Sequence, residues 1–113
     1  MNNNSRKAKS RYLQNIVRQK IIDLFKLNPE DIRTSNTGEN GEDIKLLSIT
    51  SKRAFPYSVE CTNTEQYIGL YRKFKQAKRH NHREPLLVVK KNRSEPLAVI
   101  TLDHFFELIE KDD

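Results

Sequence analysis

Cysteine is nearly missing from this sequence: Cys61 is the sole one in 113 residues. That excludes an intrachain disulfide and points to a reducing compartment. One cysteine and three histidines without ligand spacing also exclude a conventional zinc site. Long apolar runs are missing too. None exceeds the four residues of Leu86 to Val89, far short of the roughly 20 residues that a membrane-spanning helix needs. No apolar stretch of the secretory kind follows the basic N-terminus, so the expectation is a chain with no membrane partner, acting in the cytoplasm. No Gly-rich loop is built to cradle phosphate, and no Ser, His and Asp fall in an order that suggests acyl transfer. No internal repeat is visible.

Acidic residues are scarce in two places. Residues 1 to 20 carry Arg6, Lys7, Lys9, Arg11, Arg18 and Lys20 with no acid, and in residues 72 to 93 Glu84 stands alone among nine Lys and Arg. The net charge is +6. Each base that neutralises a phosphate releases condensed counterion, so this balance favours a polyanionic partner. Charge alone does not choose between DNA, RNA, a ribosome or an acidic membrane, and two solvated faces are the plain alternative. The adjacent letters His80-Asn81-His82 do not make an HNH nuclease, whose three residues are spread over a hairpin and a helix; with Arg83 these histidines extend the basic surface.

What is present is enough apolar residue to fold, 35% against 32% charged, in a length suited to one domain. Residues 1 to 10 read as a flexible basic arm and 11 to 113 as a single domain. Leu13, Ile16, Val17, Ile21, Leu24 and Phe25 recur at helical spacing and predict a helix over about 12 to 26, ending before Asn28-Pro29. Residues 34 to 42 predict a loop. Strands are expected over 43 to 49 and 57 to 62, joined by a turn at 51 to 55, with a short edge strand at 31 to 34. A helix over 64 to 80 buries Tyr67, Ile68, Leu70, Tyr71, Phe74 and Ala77. Two strands, 85 to 90 and 97 to 101, precede a last helix over 103 to 110 that packs Phe105, Phe106, Leu108 and Ile109. The order predicts an α/β fold, one mixed β-sheet flanked by helices.

The chemistry lies in Asp43 and Glu60. Hydrolysing a phosphodiester takes an activated water and charge stabilisation at the phosphoryl oxygens, which metals held by carboxylates supply. Magnesium takes oxygen ligands and keeps several waters, so two carboxylates and a backbone carbonyl suffice. On successive strands behind a glycine-containing loop, Asp43 and Glu60 meet if those strands pair.

Gly41-Glu42-Asp43-Ile44, then Pro56-Tyr57-Ser58-Val59-Glu60-Cys61, then Gln76-Ala77 and Lys90-Lys91-Asn92-Arg93 together resemble the PD-(D/E)XK nucleases, closest to bacteriophage and archaeal Holliday junction resolvases. Gln14 falls where archaeal members have a metal-linked Glu. The resemblance covers most of residues 9 to 106. It implies a restriction-endonuclease-like core and Mg2+ or Mn2+ held by Asp43, Glu60, Cys61 and Gln14. It also implies Gln76 beside the metal, and a homodimer that nicks four-way or other branched DNA in a bacterial host's cytoplasm. Arg6, Lys7, Lys9, Arg11, Ser35, Lys73, Arg79 and Arg83 are the candidate DNA contacts.

One position departs from the pattern. The family runs Glu-x-Lys, and here Thr62 stands in the lysine's place. A threonine hydroxyl does not orient water or offset transition-state charge as an ammonium does. Either the cation comes from elsewhere, with Lys45 first and Lys75 or Lys52 behind it, or the lysine was removed by mutation, or the chain binds DNA without cutting. The rivals are therefore a catalytically silent DNA-binding protein of the same fold, a nuclease for other DNA substrates, and a basic RNA- or ribosome-associated protein.

Overall fold

The computed structural model describes residues 3–79 and 82–110, with side chains from Lys7 onward. The chain divides into two compact units, Met1–Thr64 and Glu65–Asp113. Both are built from helices and a small antiparallel sheet, within the expected α/β class.

In the first unit, helix α1 spans Asn3–Phe25. It starts at Asn3 rather than Tyr12, so residues 3 to 10, expected as an arm, are helical. Ala, Lys and Arg are strong helix formers and no Gly or Pro interrupts them. The helix ends at Lys26, whose φ of 54° is left-handed, while the Leu27 N–H donates back to the Ile22 carbonyl at 3.1 Å. That closure satisfies a terminal carbonyl and brings buried Leu27 against the core. Val17, Ile21 and Ile22 form the buried stripe.

Strands β1 (Ile32–Thr34) and β2 (Ile44–Leu46) pair antiparallel, Ile32 opposite Leu46 and Thr34 opposite Ile44. The short strand foreseen at 31 to 34 is thus a full partner. Ile32 and Ile44 are both buried, and β1 packs against α1. Arg18 on α1 donates through Nε to the Ile32 carbonyl (2.8 Å) and through Nη2 to the Pro29 carbonyl (2.7 Å), which satisfies outer-edge acceptors that β2 does not reach.

Two expectations for residues 47 to 62 are corrected. The strand over 43 to 49 stops at Leu46, and the turn at 51 to 55 is helix α2, Ile49–Ala54. Ser48 caps α2: its Oγ accepts from the Ser51 N–H at 3.0 Å, and Ser51 Oγ accepts from the Ser48 N–H at 3.2 Å. This reciprocal arrangement starts a helix that β propensity alone does not foresee. Phe55, 2% exposed, then packs its ring 5.8 Å from Phe25 and 4.9 Å from Tyr57. Residues 56 to 62 form no assigned strand. Pro56 brings no N–H, and one of the two hydrogen bonds that tie this segment to Asp43 runs to a side chain instead of a backbone carbonyl.

In the second unit a 3-10 turn, Glu65–Tyr67, leads into α3, Ile68–Arg79. Strands β3 (Leu87–Val89) and β4 (Leu97–Val99) pair antiparallel around a turn in which Arg93 takes a φ of 64°. Helix α4, Leu102–Glu110, is capped by Thr101, whose Oγ1 accepts the His104 N–H at 3.1 Å. The buried stripe expected on α3 is not buried: Tyr67, Ile68 and Tyr71 are 44%, 58% and 63% exposed, and on α4 Leu108 is exposed as well. Two short strands and one short helix are too little to cover it, and Phe106 is the buried side chain of this unit among the described residues. The single mixed sheet is likewise corrected to two separate two-stranded sheets among the described residues.

Candidate functional site

Asp43 sits at the mouth of the β1–β2 hairpin and is held from three directions. Its carbonyl accepts from the Ser35 N–H at 2.9 Å, and its own N–H donates to the Val59 carbonyl at 2.9 Å. Its Oδ2 accepts from the Cys61 N–H at 2.7 Å. Glu60 lies between the two residues so bonded, and its side chain is exposed. The segment carrying Glu60 therefore runs along Asp43 as the expected strand pairing required, with a carboxylate taking the role of a ladder acceptor. Asp43 also lines a cleft.

That cleft, about 340 Å³, lies within the first unit between α1 and the hairpin loop. Lys7, Ser10, Arg11 and Gln14 line one wall at helical spacing, and Ser35, Thr37, Glu39 and Asp43 line the other. Five residues singled out from the sequence thus meet in one place: Lys7, Arg11, Gln14, Ser35 and Asp43. Arg11 donates through Nη2 to the Thr37 hydroxyl across the cleft. The Asn63 N–H approaches the Ser10 hydroxyl at 3.5 Å, a long contact that draws the end of the Glu60 segment towards α1.

The loop wall is braced by charge. Arg33 grips Glu39 with both terminal nitrogens, at 2.8 and 2.7 Å, and the Asn36 N–H adds a bond at 2.8 Å. These hydrogen bonds from Arg33, then Asn36, hold the Glu39 carboxyl down at about 2. Arg33, Glu39 and Ser10 escaped the sequence reading. Continuing the helical spacing upstream of Tyr12 would have put Ser10 beside Lys7 and Gln14; the Arg33–Glu39 pair has no local signature, because it forms across a loop.

Other candidates fall elsewhere. Lys45 does not reach the cleft as expected. Its Nζ donates to the Asn40 carbonyl at 2.6 Å and stands 3.9 Å from Glu42, and with Lys52 it lines a different hollow, with Tyr57 and Ser58. Strand alternation predicted a face shared with Asp43; Asp43 lies at a bend just before β2, and the Lys45 ammonium is turned to the Asn40 carbonyl. Thr62 is exposed, and Lys9 is exposed on α1 away from the cleft lining. Gln76, Lys73, Lys75 and Arg79 are exposed on α3 of the second unit, and Arg83 follows it, also exposed. The side chain of Arg6, and His80, lie outside the described residues.

Cys61 is 8% exposed and fills the core beneath this site. Burial pushes its thiol up to about 11, and the negative charges of Asp43 and Glu60 push the same way. The free thiol is therefore protonated at neutral pH, and the oxygen that position 61 offers a hard cation is its carbonyl. No cluster of three or more His, Cys, Asp or Glu suited to a metal occurs among the described residues. Two carboxylates form a hard-oxygen donor set that suits magnesium, which commonly binds through one or two carboxylates plus waters and phosphate. No described helix is long and apolar enough to cross a membrane. No family model, curated protein or solved structure matches this chain.

Proposed function

We propose that this chain is a divalent-metal-dependent DNA endonuclease of the PD-(D/E)XK type that nicks four-way or other branched DNA. The observation that carries the reading is the double tie between Asp43 and the Glu60 segment, at the edge of a cleft whose opposite wall is the basic face of α1. A cation between two carboxylates and a phosphate between that cation and Lys7 or Arg11 is the charge order that phosphodiester hydrolysis needs.

In this reading Asp43 and Glu60 hold Mg2+ or Mn2+ together with the Cys61 carbonyl, and Gln14 faces the same cleft. The metal, when bound, supplies an activated water and neutralises charge on the phosphoryl oxygens. The chain's own residues do the rest. The Cys61 N–H fixes one Asp43 oxygen and leaves the other for the metal. Arg11 and Lys7 bind phosphate, and Ser35 and Thr37 line its approach. These contacts read the backbone and the shape of the DNA, since none is placed to select a base. Paired nicks call for two sites about a two-fold axis, so the reading takes a homodimer, working in the cytoplasm.

Asp43→Ala and Glu60→Ala are each expected to abolish cutting of a labelled four-way junction in magnesium or manganese while leaving junction binding in EDTA largely intact. Full activity in either variant sinks the assignment. The second reading, a junction-binding protein that never cuts, draws on the Thr62 exchange and on the capture of Lys45 by Asn40; it predicts binding with or without metal and no product. Tighter binding to RNA than to branched DNA would instead favour an RNA-associated protein.

A further inference from the structure

We infer that Lys7, on helix α1, supplies the positive charge that the Glu-x-Lys lysine provides in other nucleases of this type; the inference rests on the nuclease reading above. Three observations lead there. Thr62 has no cationic side chain, and Lys45, the nearest lysine in sequence to Asp43, is turned to the Asn40 carbonyl in a separate hollow. Of the two cations that share the cleft with Asp43, Arg11 is engaged by the Thr37 hydroxyl. Lys7, one turn earlier on the same face, makes no hydrogen bond or ion pair among the described residues, so its ammonium is available to a ligand.

Helical geometry places residues 7, 11 and 14 in one row, so the Lys7 ammonium and Gln14 approach the same space from the wall opposite Asp43. A phosphate drawn into that space has the carboxylate side on one flank and the ammonium on the other. In the step assigned to it, water oxygen bonds to phosphorus as one bridging P–O bond breaks. The water gives up one proton to bulk solvent and the departing sugar oxygen takes one up. Lys7 keeps its protons and pairs with a non-bridging oxygen whose charge grows in the transition state. Arg11, tied to the Thr37 hydroxyl, also braces the loop wall.

The test compares single-turnover cleavage of a four-way junction in magnesium with junction affinity in EDTA, for the given chain, Lys7→Gln, Lys7→Arg, Thr62→Lys and the Lys7→Gln/Thr62→Lys pair. Lys7→Gln is expected to slow cleavage by about 100-fold, as loss of one transition-state donor does, with affinity changed no more than by Lys9→Gln. Lys7→Arg should keep a larger share of the rate, and Thr62→Lys should restore about 10-fold or more to Lys7→Gln by returning a cation to the other flank. Lys7→Gln cutting at the full rate, or losing rate only in step with affinity, overturns the assignment. So does an inert parent chain that Thr62→Lys awakens, an outcome that spares the carboxylates and the fold. Failure of the parent and of Thr62→Lys alike to cut removes the nuclease reading itself, and Lys7 with it.

Discussion

At the scale of single residues, the tie between Arg33 and Glu39 has the clearest consequence for pH. The folded Glu39 carboxyl lies at about 2, below its ordinary 4.5. A depressed carboxyl contributes stability that is present above the ordinary value and lost as pH falls from there towards the folded one. The hairpin loop should therefore loosen between about pH 4.5 and 2, with faster amide exchange at Asn36 as the readout. Arg33→Gln should bring the Glu39 midpoint, followed by its carboxyl carbon resonance, back towards 4.5; an unmoved midpoint would show that Arg33 is not its cause. Because both groups are partly solvent-exposed, the pair acts on the loop and not on the core. Asp43, Glu60 and the cleft cations were legible in the sequence because their residue types and order carry chemistry. The Arg33–Glu39 brace was not, since nothing local distinguishes an exposed Arg from an exposed Glu until the loop closes.

At the scale of elements, α1 and the hairpin show why some structure is readable from spacing. Val17 and Ile21 recur at one helical turn, and Ile32 and Ile44 are the buried members of short strands. Helix α2 shows the opposite. Its six residues, Ile-Thr-Ser-Lys-Arg-Ala, include two β-branched ones, and what starts it is the Ser48–Ser51 exchange of hydrogen bonds. Ser51 is fully buried, and its Oγ also donates to the Ser48 carbonyl at 2.9 Å. Ser48→Ala should cost about 1 kcal/mol, read as a lower urea midpoint at unchanged slope. A neutral Ser48→Ala would mean that Phe55 packing alone holds α2. The missing second strand has a similar origin. The backbone of residues 59 to 61 runs along Asp43, yet the pairing is made partly by a side chain, which no periodicity reveals.

At the scale of the whole molecule, the charge asymmetry sets how binding answers to salt. With bases concentrated near the N-terminus and in residues 72 to 93, log affinity for junction DNA should fall linearly and steeply with log salt. Lys9→Gln, which removes an exposed base outside the cleft, should flatten that slope by about one; a slope that ignores salt would argue against phosphate contacts altogether. Of the apolar residues that spacing assigned to a core on α3, Ile68 and Tyr71 are exposed and Leu70, Phe74 and Ala77 only half-buried, because spacing reports which residues share a face and not what covers it. The single thiol offers a different kind of access. Cys61 lies under the two carboxylates, bonded through its N–H to one of them, and no other sulfhydryl competes with it. Its labelling rate under native conditions is therefore a gauge of local opening at that one place. The molecule carries its own reporter of how often the Glu60 segment lifts from Asp43, and a ligand that clamps the two together would register as protection of the sulfur.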